Sequence, residues 1–234
     1  MYKIITLVAI AFIFCGCESI TGNGNIVTEL RKVNRFDGIR TKGSIDVEII
    51  NGTDQTVKVE ADENVLPYII TKVDEGLLDV HYKSGKSFRN VDAKVFVSSD
   101  VLDRLTVSGS GGIVSRDTIK SADIIEIKIG GSGDISVVAD APSITAAISG
   151  SGTITLAGRT KDFKGNITGS GDLKCSSLLC ENATVKVTGS GTARVYASVH
   201  LIARVTGSGD IYYSGSPSSP DIKKTGSGTI QADK

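Results

Sequence analysis

The sequence predicts an all-β protein: a parallel β-helix, or β-solenoid, with coils of about 19 residues and a less regular N-terminal part. Three observations carry this. Gly-Ser-Gly recurs at Gly109, Gly131, Gly150, Gly169, Gly189, Gly207 and Gly226, in steps of 22, 19, 19, 20, 18 and 19 residues, and a fixed period of this size marks a repeat architecture. Apolar and polar residues alternate on both sides of each triplet, as along a half-buried strand. Asp and Thr take turns as the residue after the later triplets: Asp134, Thr153, Asp172, Thr192, Asp210, Thr229.

The parity of the alternation passes through the triplet. Counting in twos from Ile148 gives Gly150, Gly152, Ile154 and Leu156, so both glycines fall where core-facing side chains belong. Glycine at such a place lets the backbone bend sharply or approach a neighbour closely. Each repeat therefore reads as one coil with two strands and a glycine corner, stacked on the coil before it. Six steps at about 4.8 Å per strand make a rod of roughly 29 Å. If equivalent positions stack, an unbroken column of Asp would set like charges opposite one another, which is unfavourable. Interleaved Thr doubles their separation and offers each carboxylate a hydroxyl donor.

The chain divides accordingly. Residues 1–16 read as a lipoprotein signal peptide: Lys3 starts it with positive charge, and Ile4 to Phe14 is an apolar run too short to span a bilayer. Phe14-Cys15-Gly16-Cys17 resembles a bacterial lipobox, with small Gly16 before the cysteine to be lipidated, Cys17; Phe14 departs from the usual Leu. Residues 17–25, with Gly22, Asn23 and Gly24, read as a flexible tether. Glu18 stands where Asp would signal inner-membrane retention, so the resemblance implies the outer membrane.

Residues 26–234 read as a single β-solenoid domain, with irregular capping coils over 26–107 and regular repeats over 108–234. In the first part, Ser44–Ile49 and Thr56–Glu60 alternate around the turn signal Asn51-Gly52 and predict a hairpin. Glu63–Ile70 allows one helical turn broken by Pro67. Leu77–Tyr82 and Ala93–Val97 read as strands, and Lys42-Gly43-Ser44-Ile45-Asp46 as a decayed corner. In the repeats, Ala146, Gly165, Ala193 and Ala203 among Ile, Val and Leu suggest a narrow core. Lys223 and Lys224 near the last coil discourage edge-to-edge pairing.

The run Phe36-Asp37-Gly38-Ile39, then Gly43-Ser44-Ile45-Asp46-Val47 and Val57-Lys58-Val59-Glu60-Ala61-Asp62-Glu63-Asn64, followed by serial Gly-Ser-Gly, resembles the bacterial family called putative auto-transporter adhesin, head GIN domain. The resemblance covers roughly residues 34 to 230. It implies an envelope lipoprotein with a β-helical fold, and it brings no catalytic residues to carry over.

The chemistry on offer is sparse. Cys175 and Cys180 are a candidate disulfide outside the cytoplasm, closing a loop over Ser176–Leu179, or else two core thiols. No Cys-x-x-Cys or His-Cys cluster points to a metal. His81 and His200 stand alone in strand-like runs. The triplets lack the Lys and strand-loop-helix context of a phosphate loop, and a nucleophile would not recur seven times. No cofactor is implied.

Basic and acidic residues number 26 each, without a cationic block, which argues against nucleic acid as partner. Aromatics are few and Trp is absent, so Tyr196, Tyr212 and Tyr213 are the candidates for a contact patch. Outward parity at the corners collects hydroxyls at Ser149, Ser151 and Thr153, Thr168 and Ser170, Thr188, Ser190 and Thr192, and Thr206 and Ser208.

Two functional classes fit such a chain. One is a non-catalytic, adhesin-like binding or structural module of the cell envelope, attached to the membrane by its N-terminal lipid, with a surface glycan or envelope protein as partner. The other is a polysaccharide-acting β-helix enzyme, which requires a non-periodic cluster of acids, bases or metal ligands on one face; the sequence offers none. For the anchor, Cys17→Ser is expected to release the protein from membranes or leave the precursor unprocessed on fractionation. A variant that stays membrane-bound and matures normally would overturn the lipoprotein reading.

Overall fold

The computed structural model describes residues 18–233, so the signal peptide and Cys17 lie outside the described residues. Strands stack in two long parallel ladders that meet at the glycine corner. One ladder brings the chain to the corner: Leu77–Tyr82, Gly38–Gly43, Arg104–Gly109, Ile124–Gly131, the second halves of Asp134–Gly150, Thr153–Gly169 and Asp172–Gly189, then His200–Gly207 and Asp221–Thr225. The other leads away: Ala93–Ser98, Asp46–Ile50, Gly112–Lys120, the first halves of the same three long strands, then Thr192–Tyr196, Asp210–Ser214 and Thr229–Ala232. The β-solenoid expected from the repeat is the fold.

The inward residues form a continuous core. Ile127, Ile144, Ile154, Leu156, Leu173, Val185 and Ala203 are all at 0 % exposure, and burying a side chain of the Val, Leu or Ile class is worth about 1.5–3 kcal/mol. Ala146 pairs with Gly165, and Gly165 with Val185. A Cβ at Gly165 would lie 2.5 Å from Leu173 Cδ2, so the small residues make room for large neighbours across a narrow interior.

Both triplet glycines are required, for different reasons. The third faces the core as its parity implies: a Cβ at Gly152 would lie 2.8 Å from Ile129 Cγ2 and 2.2 Å from the Gly133 oxygen. The first instead has φ between +114° and +137° from Gly109 to Gly226. Its missing Cβ would strike the corner carbonyl of the preceding rung, 2.4 Å away at Gly169. That carbonyl is an acceptor: Gly169 O receives the N–H groups of Ser190 at 2.9 Å and Gly191 at 3.1 Å. The Gly43 corner belongs to the same column, since Gly43 pairs with Gly109 and its oxygen accepts from Ser110 at 2.7 Å. Ile45 can replace the third glycine there because no corner is stacked beneath it; the rung below pairs only up to Thr41 and resumes at Asp46.

The N-terminal part departs from several expectations. Ser44–Ile49 and Thr56–Glu60 do not form a hairpin, because Ala93–Ser98 lies between them, parallel to Asp46–Ile50 and antiparallel to Thr56–Asp62. A solenoid rung needs a parallel neighbour, and the later segment supplies it. Only part of 26–107 forms coils. Ile26–Arg31 pairs antiparallel with Thr56–Asp62, and Ile69–Asp74 with Leu77–Tyr82, closing this end. The expected helical turn is a 3-10 turn at Leu66–Tyr68 that contains Pro67.

The tether is not free either. Glu18–Thr21 pairs with Lys86–Arg89, and Gly24 N donates to the buried Asp62 carboxylate at 2.6 Å. At this closed end Asp79 is 2 % exposed and held by Arg40. The guanidinium's hydrogen bonds keep the Asp79 carboxyl below the ordinary range.

The corner geometry separates two kinds of glycine. Gly169→Ala meets both a positive φ and a backbone oxygen, and is expected to cost about 3 kcal/mol or more. Gly130→Ala, with nothing within 4 Å of its Cβ position, should fall within about 1 kcal/mol of the parent, on the stabilising side. Urea unfolding midpoints of the two variants check this.

Candidate functional site

The corners form a ridge along the solenoid, and three outward columns run on it. The central serines, from Ser110 through Ser132, Ser151, Ser170, Ser190 and Ser208 to Ser227, are exposed. On one side Ser149, Thr168, Thr188, Thr206 and Thr225 stack in direct register. On the other stand Asp134, Thr153, Asp172, Thr192, Asp210 and Thr229, each opposite the next. The alternating column is thus a physical one. Two of its three carboxylates find a donor other than the hydroxyl the sequence suggests: Asp134 Oδ1 accepts the Thr153 backbone N–H at 3.0 Å, and Asp210 Oδ1 that of Thr229 at 2.7 Å. Asp46 does the same for Gly112 at 2.8 Å. A corner carboxylate therefore ties its own rung to the next through the backbone.

The tyrosines divide. Tyr196 and Tyr212 point outward on adjacent rungs, two register positions apart, and the Arg194 guanidinium lies 4.7 Å from the Tyr212 ring centre. Tyr213 is opposite Val195 and packs against the core. Of the three tyrosines, the outward pair is thus Tyr196 and Tyr212, with Arg194 beside the latter.

Cys175 and Cys180 are free, buried thiols. The segment between them continues as strand with one irregular step instead of turning tightly, so the disulfide is not formed. Burial pushes the Cys180 thiol up to about 12 and raises that of Cys175 also; neither is a ready nucleophile. Cys180 Sγ donates to the Tyr196 carbonyl at 2.7 Å.

A shallow groove of about 540 Å³ follows the bend opposite the ridge, between Asp140, Arg159, Lys161, Leu179, Glu181 and Tyr196. Its Arg159–Asp140 pair, at 3.2 Å, is exposed, and such pairs contribute about 0–1 kcal/mol. His81 Nδ1 lies 2.9 Å from the Tyr82 carbonyl and His200 is exposed at a strand start; neither stands in the groove. Among the described residues no three His, Cys, Asp or Glu side chains gather as metal ligands.

Missing from the sequence reading are the basic residues beside the ridge. Lys186, Arg204 and Lys223 stack on one flank, Lys174 and Arg194 on the other. Their signal was a constant offset from the corner glycine, three residues before it or five after.

Comparison with known proteins adds the following. A family model described as putative auto-transporter adhesin, head GIN domain, matches residues 35–217. A crystal structure of a putative adhesin from Bacteroides fragilis superposes with a TM-score of 0.85 at 21 % identity, covering 92 % of this chain and 100 % of that one. A putative lipid binding protein from Parabacteroides distasonis gives 0.75 at 28 %, covering 93 % and 100 %. A putative adhesin from Parabacteroides merdae gives 0.71 at 24 %, covering 93 % and 100 %. No curated protein matches the chain.

The stacked acid column carries a direct test. Thr192→Asp sets three carboxylates on consecutive rungs and is expected to be about 1 kcal/mol less stable than Thr192→Asn at pH 7 and low salt. Acidification through the carboxylate range or added salt should shrink the gap. Denaturant curves of the two variants across pH and salt decide it; equal stability at pH 7 and low salt would mean that the column does not couple its charges.

Proposed function

The chain belongs to the putative auto-transporter adhesin, head GIN domain family, and from that premise we propose that it is a non-catalytic, adhesin-like lipoprotein of the cell envelope. It is anchored through a lipid on Cys17, in the outer membrane because Glu18 follows, and binds a surface glycan or an envelope protein. The observation that carries this is the arrangement of its polar groups. Catalysis needs a local convergence of groups with tuned protonation. Here the outstanding polar side chains run in columns, one member per rung, from Ser110 to Ser227 and from Asp134 to Thr229. Such columns suit many weak contacts shared among coils, whose strengths multiply when one ligand spans them.

The Parabacteroides distasonis relative described as lipid binding is accommodated by the same reading. The lipid here is the covalent anchor, while the space between the ladders is filled by side chains such as Ile144, Ile154 and Leu173.

A screen of the full-length protein against cell-surface glycans and envelope proteins, run beside an assay for polysaccharide depolymerisation, tests the proposal. Saturable binding, weakened step by step by changes in successive coils and without turnover, is expected. Cleavage abolished by mutating one acid or base would overturn it in favour of a polysaccharide-acting enzyme.

A further inference from the structure

The residue three places before each corner glycine heads a column that spans the solenoid. Rung by rung it reads Asp79, Arg40, Thr106, Lys128, Ala147, Asn166, Lys186, Arg204, Lys223. At the closed end the cation is answered in the column itself, since Arg40 grips Asp79 on the adjacent rung. At the other end three cations stand on consecutive rungs, about 4.8 Å apart by strand spacing.

Across the ridge, Lys174 and Arg194 repeat the arrangement on two adjacent rungs. Of these five, Arg204 holds a carboxylate, Asp221; among the described residues Lys174, Lys186 and Lys223 form no ion pair, and all three are exposed. Like charges directly opposite one another are unfavourable. The acid column on the same ridge avoids the conflict by interleaving Thr and, at Asp134 and Asp210, by accepting backbone N–H groups. Lys174, Lys186 and Lys223 do neither, so their charge remains available to something outside the chain, with the Asp221-bound Arg204 standing between Lys186 and Lys223.

We propose that Lys186, Arg204 and Lys223 on one flank and Lys174 and Arg194 on the other form a docking surface for an acidic polysaccharide lying along the ridge. The inference rests on the adhesin-like reading and names the chemistry of its ligand. Charge complementarity supplies the attraction, and the residues between the flanks point to the class of polymer. From Lys186 to Arg194 the outward sequence is cation, Thr188, Ser190, Thr192, cation. The next rung reads Arg204, Thr206, Ser208, Asp210, Tyr212, with Arg194 over the Tyr212 ring. Hydroxyls on consecutive rungs can donate to and accept from the hydroxyls and carboxylates of a sugar chain, while the flanking cations meet its charges. A polymer with a regular repeat suits a surface with a regular repeat, and Tyr212 offers a ring face to a sugar. The alternating carboxylates Asp172 and Asp210 keep the ridge from attracting every polyanion alike.

The test uses the full-length protein in detergent, with polygalacturonate and heparin as acidic polysaccharides, dextran as the neutral one and poly-glutamate as an acidic chain without sugar. Binding to at least one acidic polysaccharide is expected at low salt, weakening linearly on a log–log plot as salt rises. The triple variant Lys174→Gln/Lys186→Gln/Lys223→Gln, which spares the Arg204–Asp221 pair, should bind about tenfold or more weakly and with a shallower salt slope. The control Lys32→Gln/Lys72→Gln/Lys83→Gln removes equal charge at the closed end and should change affinity less than twofold. Absence of binding to both acidic polysaccharides, equal loss in the two variants, or equal affinity for poly-glutamate would overturn the inference. Binding of a neutral glycan or an envelope protein that the triple variant leaves intact would also overturn it, while the adhesin-like reading would stand.

Discussion

Everything in this molecule depends on the closeness with which one corner backbone rests on the next. The corner carbonyl of each rung lies where the Cβ of the following corner residue would be, and it accepts the N–H groups beyond. A side chain there would separate the rungs and remove the acceptor's partners together. With the glycine in place, the ladders on either side fall into register, and register determines which side chains meet. The hydrophobic core, the serine column and the acid column are all consequences of that one contact repeated. This explains why positive φ recurs at each stacked corner from Gly109 to Gly226.

Much of this was legible because a repeat samples the same physical problem several times. The period, the inward parity and the alternation of Asp134, Thr153 and Asp172 each had several independent occurrences, and each proved structural. What escaped reading were features that neither sequence neighbours nor parity alone reveals. The hairpin expected across Asn51-Gly52 is a sound inference from neighbours in sequence; a strand more than thirty residues later takes the place between its arms. The positive φ of the first glycine is hidden because parity alone sends it to the core like the third. Cys175 and Cys180 looked bridgeable only if the chain turned between them. The basic flanks were present in the text as a constant offset from the corner, yet they do not recur in every coil and so did not register as a pattern.

The two charge columns show how stacking turns composition into electrostatics. Equal numbers of acids and bases make the chain neutral overall, and a neutral chain suggests no polyanion as partner. Stacking at strand spacing overrides this average, because it concentrates residues far apart in sequence into one line. The acids are diluted along theirs, and Asp134 and Asp210 accept backbone N–H groups; the bases at the C-terminal end stand on consecutive rungs, and Lys186 and Lys223 form no ion pair among the described residues. A charge that the fold leaves unanswered in an otherwise well-matched lattice is a better guide to a partner than the total.

The docked N-terminal segment has a mechanical consequence. Glu18–Thr21 is fixed beside Lys86–Arg89 at the closed end, and the cationic flanks lie toward the opposite end. The ladder hydrogen bonds between rungs run along the axis that joins them. A ligand pulled away from an anchored solenoid therefore loads those bonds as links in series, and each rung must bear the full tension. Failure then starts where a rung has a neighbour on one side only: at Asp221–Thr225 and Thr229–Ala232, whose ladder partners among the described residues are His200–Gly207 and Asp210–Ser214 alone. The molecule would give way by peeling from its tip, one coil at a time, sparing the closed base and its mooring.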